Sequence, residues 1–287
     1  MMFKKFTQIF CQIKKKKGSF VRQFSRKKKA LLSVSKRRKF IIGIATLSLI
    51  LFFSEYFLSH WGIYIAFLLS ILTALFFYWA ERLDLQDNFS PQTFILTIFY
   101  TLACALFYFL IPARLATRVG MTSLYAFGLY SLFLSENIFI VSSVRTIALS
   151  SSARIVSFVV AMVSYFFMTD VIFSLHLNIL VTLLLIFIFS FFLIQHSIWT
   201  HTLEKSFKSN LEWVLLIAVC IVEVALALWF WPTNPTLVAL FLTGLFYILV
   251  GVSQVWLDKR LFKSIMWEYI WVAVIIFIVF VTFSTKS

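Results

Sequence analysis

The first 39 positions of this 287-residue chain contain no aspartate and no glutamate. Charge is scarce throughout: Asp, Glu, Lys and Arg make up 13% of the residues, against roughly 25% in soluble domains. A water-solvated globule of this length is excluded. Prolines number four, and Pro91, Pro112, Pro232 and Pro235 all fall between or at the ends of apolar stretches. The seven glycines include no pair four apart within such a stretch. Transporters commonly use broken helices and close small-residue contacts at a midplane site, and these pointers are missing. The three cysteines, Cys11, Cys104 and Cys220, show neither a disulfide framework nor zinc-ligand spacing. They read as small buried hydrophobes. GxSxG, Walker A, HExxH and Rossmann glycine patterns are also missing, so no cofactor is expected and no metal site is assigned. No small-residue cleavage motif follows the first apolar segment, which is expected to remain as an uncleaved anchor.

What the chain has instead is apolar length. Hydrophobic residues make up 62% of it, with 36 phenylalanines. Runs of about 20 apolar residues match the thickness of a bilayer. Nine are expected, at about 40–58, 61–80, 92–111, 119–141, 155–175, 177–199, 211–231, 236–256 and 267–284. Ser135, Glu136 and Asn137 interrupt the fourth, and only His176 separates the fifth from the sixth. The fold class is therefore an all-α integral membrane protein, a bundle of about nine transmembrane helices. Residues 1–39 form a polybasic amphipathic cytoplasmic tail, and residues 40–284 form the bundle. Many of the Trp and Tyr residues gather near span ends, as in an aromatic belt. With these nine spans the segments expected inside hold 23 Lys/Arg and those expected outside three. Cytoplasmic loops carry that excess, so the N-terminus is expected inside and the C-terminus outside, most simply in a bacterial inner membrane.

Ionisable groups within a span are costly and mark functional hypotheses. Glu55, Glu136, Asp170 and Glu223 qualify. At 1.5 Å per residue, Asp170 lies about 8 Å and Glu223 about 12 Å below the outer ends of their spans. His60 and His176 occupy outer turns beside Glu55 and Asp170. Two carboxylates and two imidazoles thus share one membrane face, with Glu223 deeper. They are candidates for a metal or for acid/base work on a lipid headgroup. The spacings Glu55–His60 and Asp170–His176 are five and six residues, not the four that would put both groups cleanly on one helix face. Polar side chains reaching the interface are the simpler reading. The inner side holds Glu136, Asn137, Arg145, Gln195, His196, His201 and Gln254. Phe192 and His196 fit the FxxxH element of CAAX-type membrane proteases, but the paired-glutamate EExxxR element of that family is missing, so the match is set aside.

All of the formal net charge of +15 belongs to the tail: fifteen Lys/Arg stand in residues 1–39, and the body holds eleven cations and eleven acids. Phe3, Phe6, Phe10 and Ile13 are spaced three and four apart, a helical apolar stripe. A basic amphipathic helix beside a membrane suits anionic lipid, at about 1 kcal/mol per cation near the surface. The residues expected to engage the headgroups are Lys14, Lys15, Lys16, Lys17, Arg26, Lys27, Lys28, Lys29, Lys36, Arg37, Arg38 and Lys39. Nucleic acid or ribosome binding is the weaker alternative, since clustered cations also attract phosphate backbones.

In its C-terminal third, WPTNP, a GLFYILVG span, a basic DKRLFK loop and a final span opened by WEY resemble small polytopic bacterial membrane proteins of unknown function. That resemblance implies no activity. The sequence is read as a non-enzymatic membrane assembly or scaffold component, bound to bilayer and anionic phospholipid headgroups and open to membrane protein partners. The competing reading is a membrane-embedded enzyme or carrier acting on a lipidic substrate through Glu55, His60, Asp170, His176 and Glu223.

Overall fold

The computed structural model describes residues 36–58, 61–85, 91–112, 114–142, 150–202, 210–259 and 262–284. Among them are nine helices and no strand: α1 (Lys36–Leu58), α2 (Gly62–Leu85), α3 (Gln92–Leu110), α4 (Leu115–Ser142), α5 (Ser150–Ser174), α6 (Ile179–Thr202), α7 (Leu211–Trp229), α8 (Pro235–Leu257) and α9 (Lys263–Ser284). Eight of these, α2 to α9, are long and apolar enough to cross a membrane. The chain is thus an all-helical, multi-pass membrane protein. α1 is not among the eight; it opens with Lys36, Arg37, Arg38 and Lys39. The proposed tail lies outside the described residues up to position 35. Residues 42–287 form one compact unit, and the packing described below belongs to it.

Helix ends follow the local chemistry. Ile111, the residue before Pro112, takes an extended conformation (φ −78°, ψ 145°) and closes α3 with a bond from its N–H to the Phe107 carbonyl. The proline ring disfavours helical geometry at the residue before it, which is why α3 stops there. Pro235 instead opens α8 at a first-turn position, where a missing N–H costs nothing. α5 ends in a turn at His176, which has φ 46°, and α8 ends with Lys259 at φ 53°. α4 runs unbroken through Ser135–Asn137, because Ser135 and Glu136 are buried in the bundle and Glu136 has a partner there.

α5 is the hub, packing against α3, α4, α6 and α8. Its buried face carries Ala153, Ser157, Ala161, Ser164 and Thr169, small side chains that let neighbours come close. The Ser164 and Thr169 hydroxyls donate to the Val160 and Tyr165 carbonyls one turn back, at 2.7 Å each. This satisfies their donors without a partner helix. Into the room they leave, Tyr165 stacks on Phe246 of α8 at 4.6 Å and meets Ser190 of α6 through its hydroxyl at 3.0 Å. Tyr100 of α3 fits against Gly128 of α4, where any β-carbon would collide with its hydroxyl; that hydroxyl donates to the Leu124 carbonyl at 2.9 Å. α9 stands at the edge, packing on α8 where Gly244 and Gly251 receive Ile276 and Tyr269.

Candidate functional site

Sequential helices in this bundle alternate in direction, so the C-terminal ends of α4, α6 and α8 meet the N-terminal end of α5. The polar residues of the body collect there. Glu136 on α4 and His196 on α6 each lie six residues, about 9 Å, from the end of their helix. Glu136 Oε1 and His196 Nε2 are 2.8 Å apart, and both side chains are fully buried. The second carboxyl oxygen of Glu136 and Nδ1 of His196 have no partner.

One turn nearer the helix ends, Phe139 and Trp199 meet edge to face at 6.2 Å and close with Ala153 into an apolar layer. Beyond that layer the chain turns polar again. Arg154 of α5 reaches the His201 carbonyl with one guanidinium nitrogen at 3.4 Å. His201 Nδ1 lies 3.6 Å from the Asp258 carboxylate, and Gln254 donates to the Ser197 carbonyl at 3.2 Å. Ser151, Arg154, Ile155, Phe158, His201, Gln254 and Asp258 line a cavity of about 460 Å³. On the neighbouring face of α8, Trp213, Trp256 and Ile198 help to line a smaller, apolar one of about 250 Å³. The order along the membrane normal is therefore a sealed polar pair, an aromatic and alanine plug, and an open polar cavity.

This geometry limits the chemistry. Glu136 and His196 have the donor and acceptor types of an acid/base pair, and neither side chain is exposed. As built, the pair ties α4 to α6. Its partial satisfaction is costly, and a buried polar pair of this kind can fix helix register. The cavity, by contrast, is open and offers groups of both charges.

Of the residues singled out from sequence at the opposite face, Asp170, His176 and Glu223 are among the described ones. Asp170 is buried on α5, 4% exposed, and its carboxyl is engaged by Thr236 at the start of α8. His176 is exposed and forms the left-handed turn after α5. Histidine is among the residues that tolerate that conformation. Glu223 is exposed on α7. His60 and the side chain of Glu55 lie outside the described residues, as does Arg145. Among the described residues no three His, Cys, Asp or Glu side chains form a group able to hold a metal ion.

Sequence reasoning placed Glu136 and His196 on the same side without joining them, and it did not single out Arg154 or Asp258 as parts of one site. The usable signal was depth. Glu136 and His196 lie within a few residues of the same ends of their expected spans, so they stand at nearly one level of the membrane.

Residues 62–283, which take in α2 to α9, match the family described as protein of unknown function, DUF5656. The chain belongs to that family. No curated protein and no solved structure matches it. The match spans the whole polar cluster, from Glu136 to Asp258, so the layering described here belongs to the part of the chain that defines it as a DUF5656 protein.

Proposed function

We propose that this DUF5656 protein is a non-enzymatic assembly or scaffold component of the cell membrane. With α1 as a ninth span, its N-terminus lies inside and its C-terminus outside, and its basic tail holds anionic phospholipid of the inner leaflet. The observation that carries the reading is the charge partition: fifteen Lys/Arg and no acid in residues 1–39, ahead of a body with no net charge. The Lys/Arg of the loops between spans already favour the same orientation, so the tail holds more cations than topology requires. Glu136 and His196 are both fully buried and bonded to each other, which fits a structural role for the pair.

The test is co-sedimentation of a peptide of residues 1–39 with lipid vesicles. Binding is expected with phosphatidylglycerol-containing vesicles and to weaken with salt. Equal binding to purely zwitterionic vesicles, or none to anionic ones, overturns the lipid reading. Tight salt-sensitive binding to RNA would favour the nucleic-acid alternative. Orientation is read from reporter fusions at the C-terminus, expected to be active only on the outer side. An enzyme or carrier working through Glu55, His60, Asp170, His176 and Glu223 has less support. Such a site needs its groups to face one space, and Asp170 is buried while His176 and Glu223 are exposed.

A further inference from the structure

We infer that the polar cavity between α5, α6 and α8 is a binding site for a zwitterionic headgroup of the phosphoethanolamine type, with its phosphate on Arg154 and its ammonium on Asp258. The site goes beyond the tail reading and uses none of the tail's residues.

Three features carry the assignment. The first is charge. The lining holds one permanent cation, Arg154, and one carboxylate, Asp258, with His201 between them. Among the described residues these two make no direct ion pair; each is held instead to His201, Arg154 through its carbonyl and Asp258 beside its ring. A purely anionic ligand would satisfy Arg154 and be repelled by Asp258, and a purely cationic one would face the reverse. A ligand bearing both charges satisfies both.

The second feature is unused hydrogen-bonding capacity. Arg154 Nε is buried without a partner, and one guanidinium nitrogen makes only a long bond of 3.4 Å. The guanidinium fork matches the oxygens of a phosphate, with which such hydrogen bonds are among the stronger ones. Ser151 adds a hydroxyl at the mouth.

The third is placement. The polar lining comes from span ends: the first turns of α5, the end of α6 and the end of α8. This is the depth at which headgroups lie. Beside Arg154 the lining adds Ile155, and one turn deeper on α5 Phe158, apolar groups suited to the glycerol and upper acyl region of a lipid. Polar at the rim and apolar below, the cavity follows the profile of one phospholipid.

The test uses the full chain in detergent, with its thermal midpoint and native mass spectrum recorded in the presence of added phosphatidylethanolamine, phosphatidylglycerol or soluble phosphoethanolamine. One phosphatidylethanolamine should be retained per chain, with a raised midpoint. Arg154→Gln and Asp258→Asn should each weaken this binding about tenfold, the scale of losing one charge-assisted contact. Asp258→Asn should also remove the preference over phosphatidylglycerol. Ser151→Trp, at an exposed position on the rim, should block retention by filling the mouth. The midpoint of each variant without lipid separates lost binding from failed folding. Stabilisation by the lipid alone identifies the bilayer as the source, and equal stabilisation by soluble phosphoethanolamine identifies a free headgroup; both support the site. Equal retention of phosphatidylglycerol and phosphatidylethanolamine by the unaltered chain, or retention unchanged in all three variants, overturns it. Because the tail is intact throughout, loss of the tail's lipid binding would leave these outcomes unaffected.

Discussion

α5 and α9 are both apolar enough to cross a membrane, yet 61% of the α5 segment is buried within the protein and only 6% of α9. Hydrophobicity does not set the difference, because in lipid a helix gains nothing from hiding apolar surface against protein. Side-chain size does. α5 alternates its bulky residues with Ala153, Ser157, Ala161 and Ser164, so four other helices can close on it. α9 is a wall of Trp267, Trp271, Ile275, Phe277 and Ile278, all exposed. It packs on α8 at two glycines seven residues apart, Gly244 and Gly251, and at Phe241, which meets Phe280. The central helices thus hold the fold, and α9 is fastened along one seam.

The strongest challenge to that contrast lies beside the hub. Glu136→Ala leaves His196 buried with no partner and should cost about 3 kcal/mol or more, read as a lowered midpoint in detergent. Replacing both residues with leucine should recover much of that loss, since removing both partners leaves no orphaned polar group. A Glu136→Ala midpoint equal to that of the unaltered chain would mean the pair does not hold α4 to α6. Next in size is Gly128→Ala, which drives a β-carbon into the Tyr100 hydroxyl. Tyr100 is buried and stacked near Tyr125, so it cannot swing aside, and a loss of about 1–3 kcal/mol is expected. Tyr100→Phe in the same chain should soften the penalty, because the hydroxyl is the atom struck.

At the seam the expectation changes in kind. Gly251→Leu should push Tyr269 away and loosen α9 while leaving the midpoint of the central helices nearly unchanged. Limited proteolysis would show it as faster cleavage between α8 and α9. The smallest effect belongs to Phe277→Ala on the outer face of α9, within about 0.5 kcal/mol of no change. If the α9 substitutions lowered the midpoint as much as those at Glu136 and Gly128, the division between hub and edge would fail.

How much of this could be read beforehand varies by feature. Prolines at the ends of apolar stretches and the short polar separators marked helix boundaries to within a few residues, because each acts through its own backbone. Glycines four apart were the natural small-residue motif to seek, and none lay within a span. The spacing in use is seven, from Gly244 to Gly251, which returns to the same face of α8 after two turns. The acids were harder. Asp170 and Glu223 look alike in sequence, a single carboxylate in an apolar run, yet one is buried against Thr236 and the other exposed. Which way a residue faces depends on the helices beside it, and those are chosen by packing across long stretches of chain.

The sequence by itself determined that this is a helical multi-pass membrane protein with its net charge gathered at one terminus, since span length, loop charge and composition are local or additive properties. Tertiary structure alone decided that α5 is the hub and that Glu136 meets His196 across sixty residues of chain. It also brought Arg154, His201, Gln254 and Asp258, from three separate helices and a helix end, to the rim of one cavity. Those facts come from how antiparallel helices close on small side chains, which no single segment specifies.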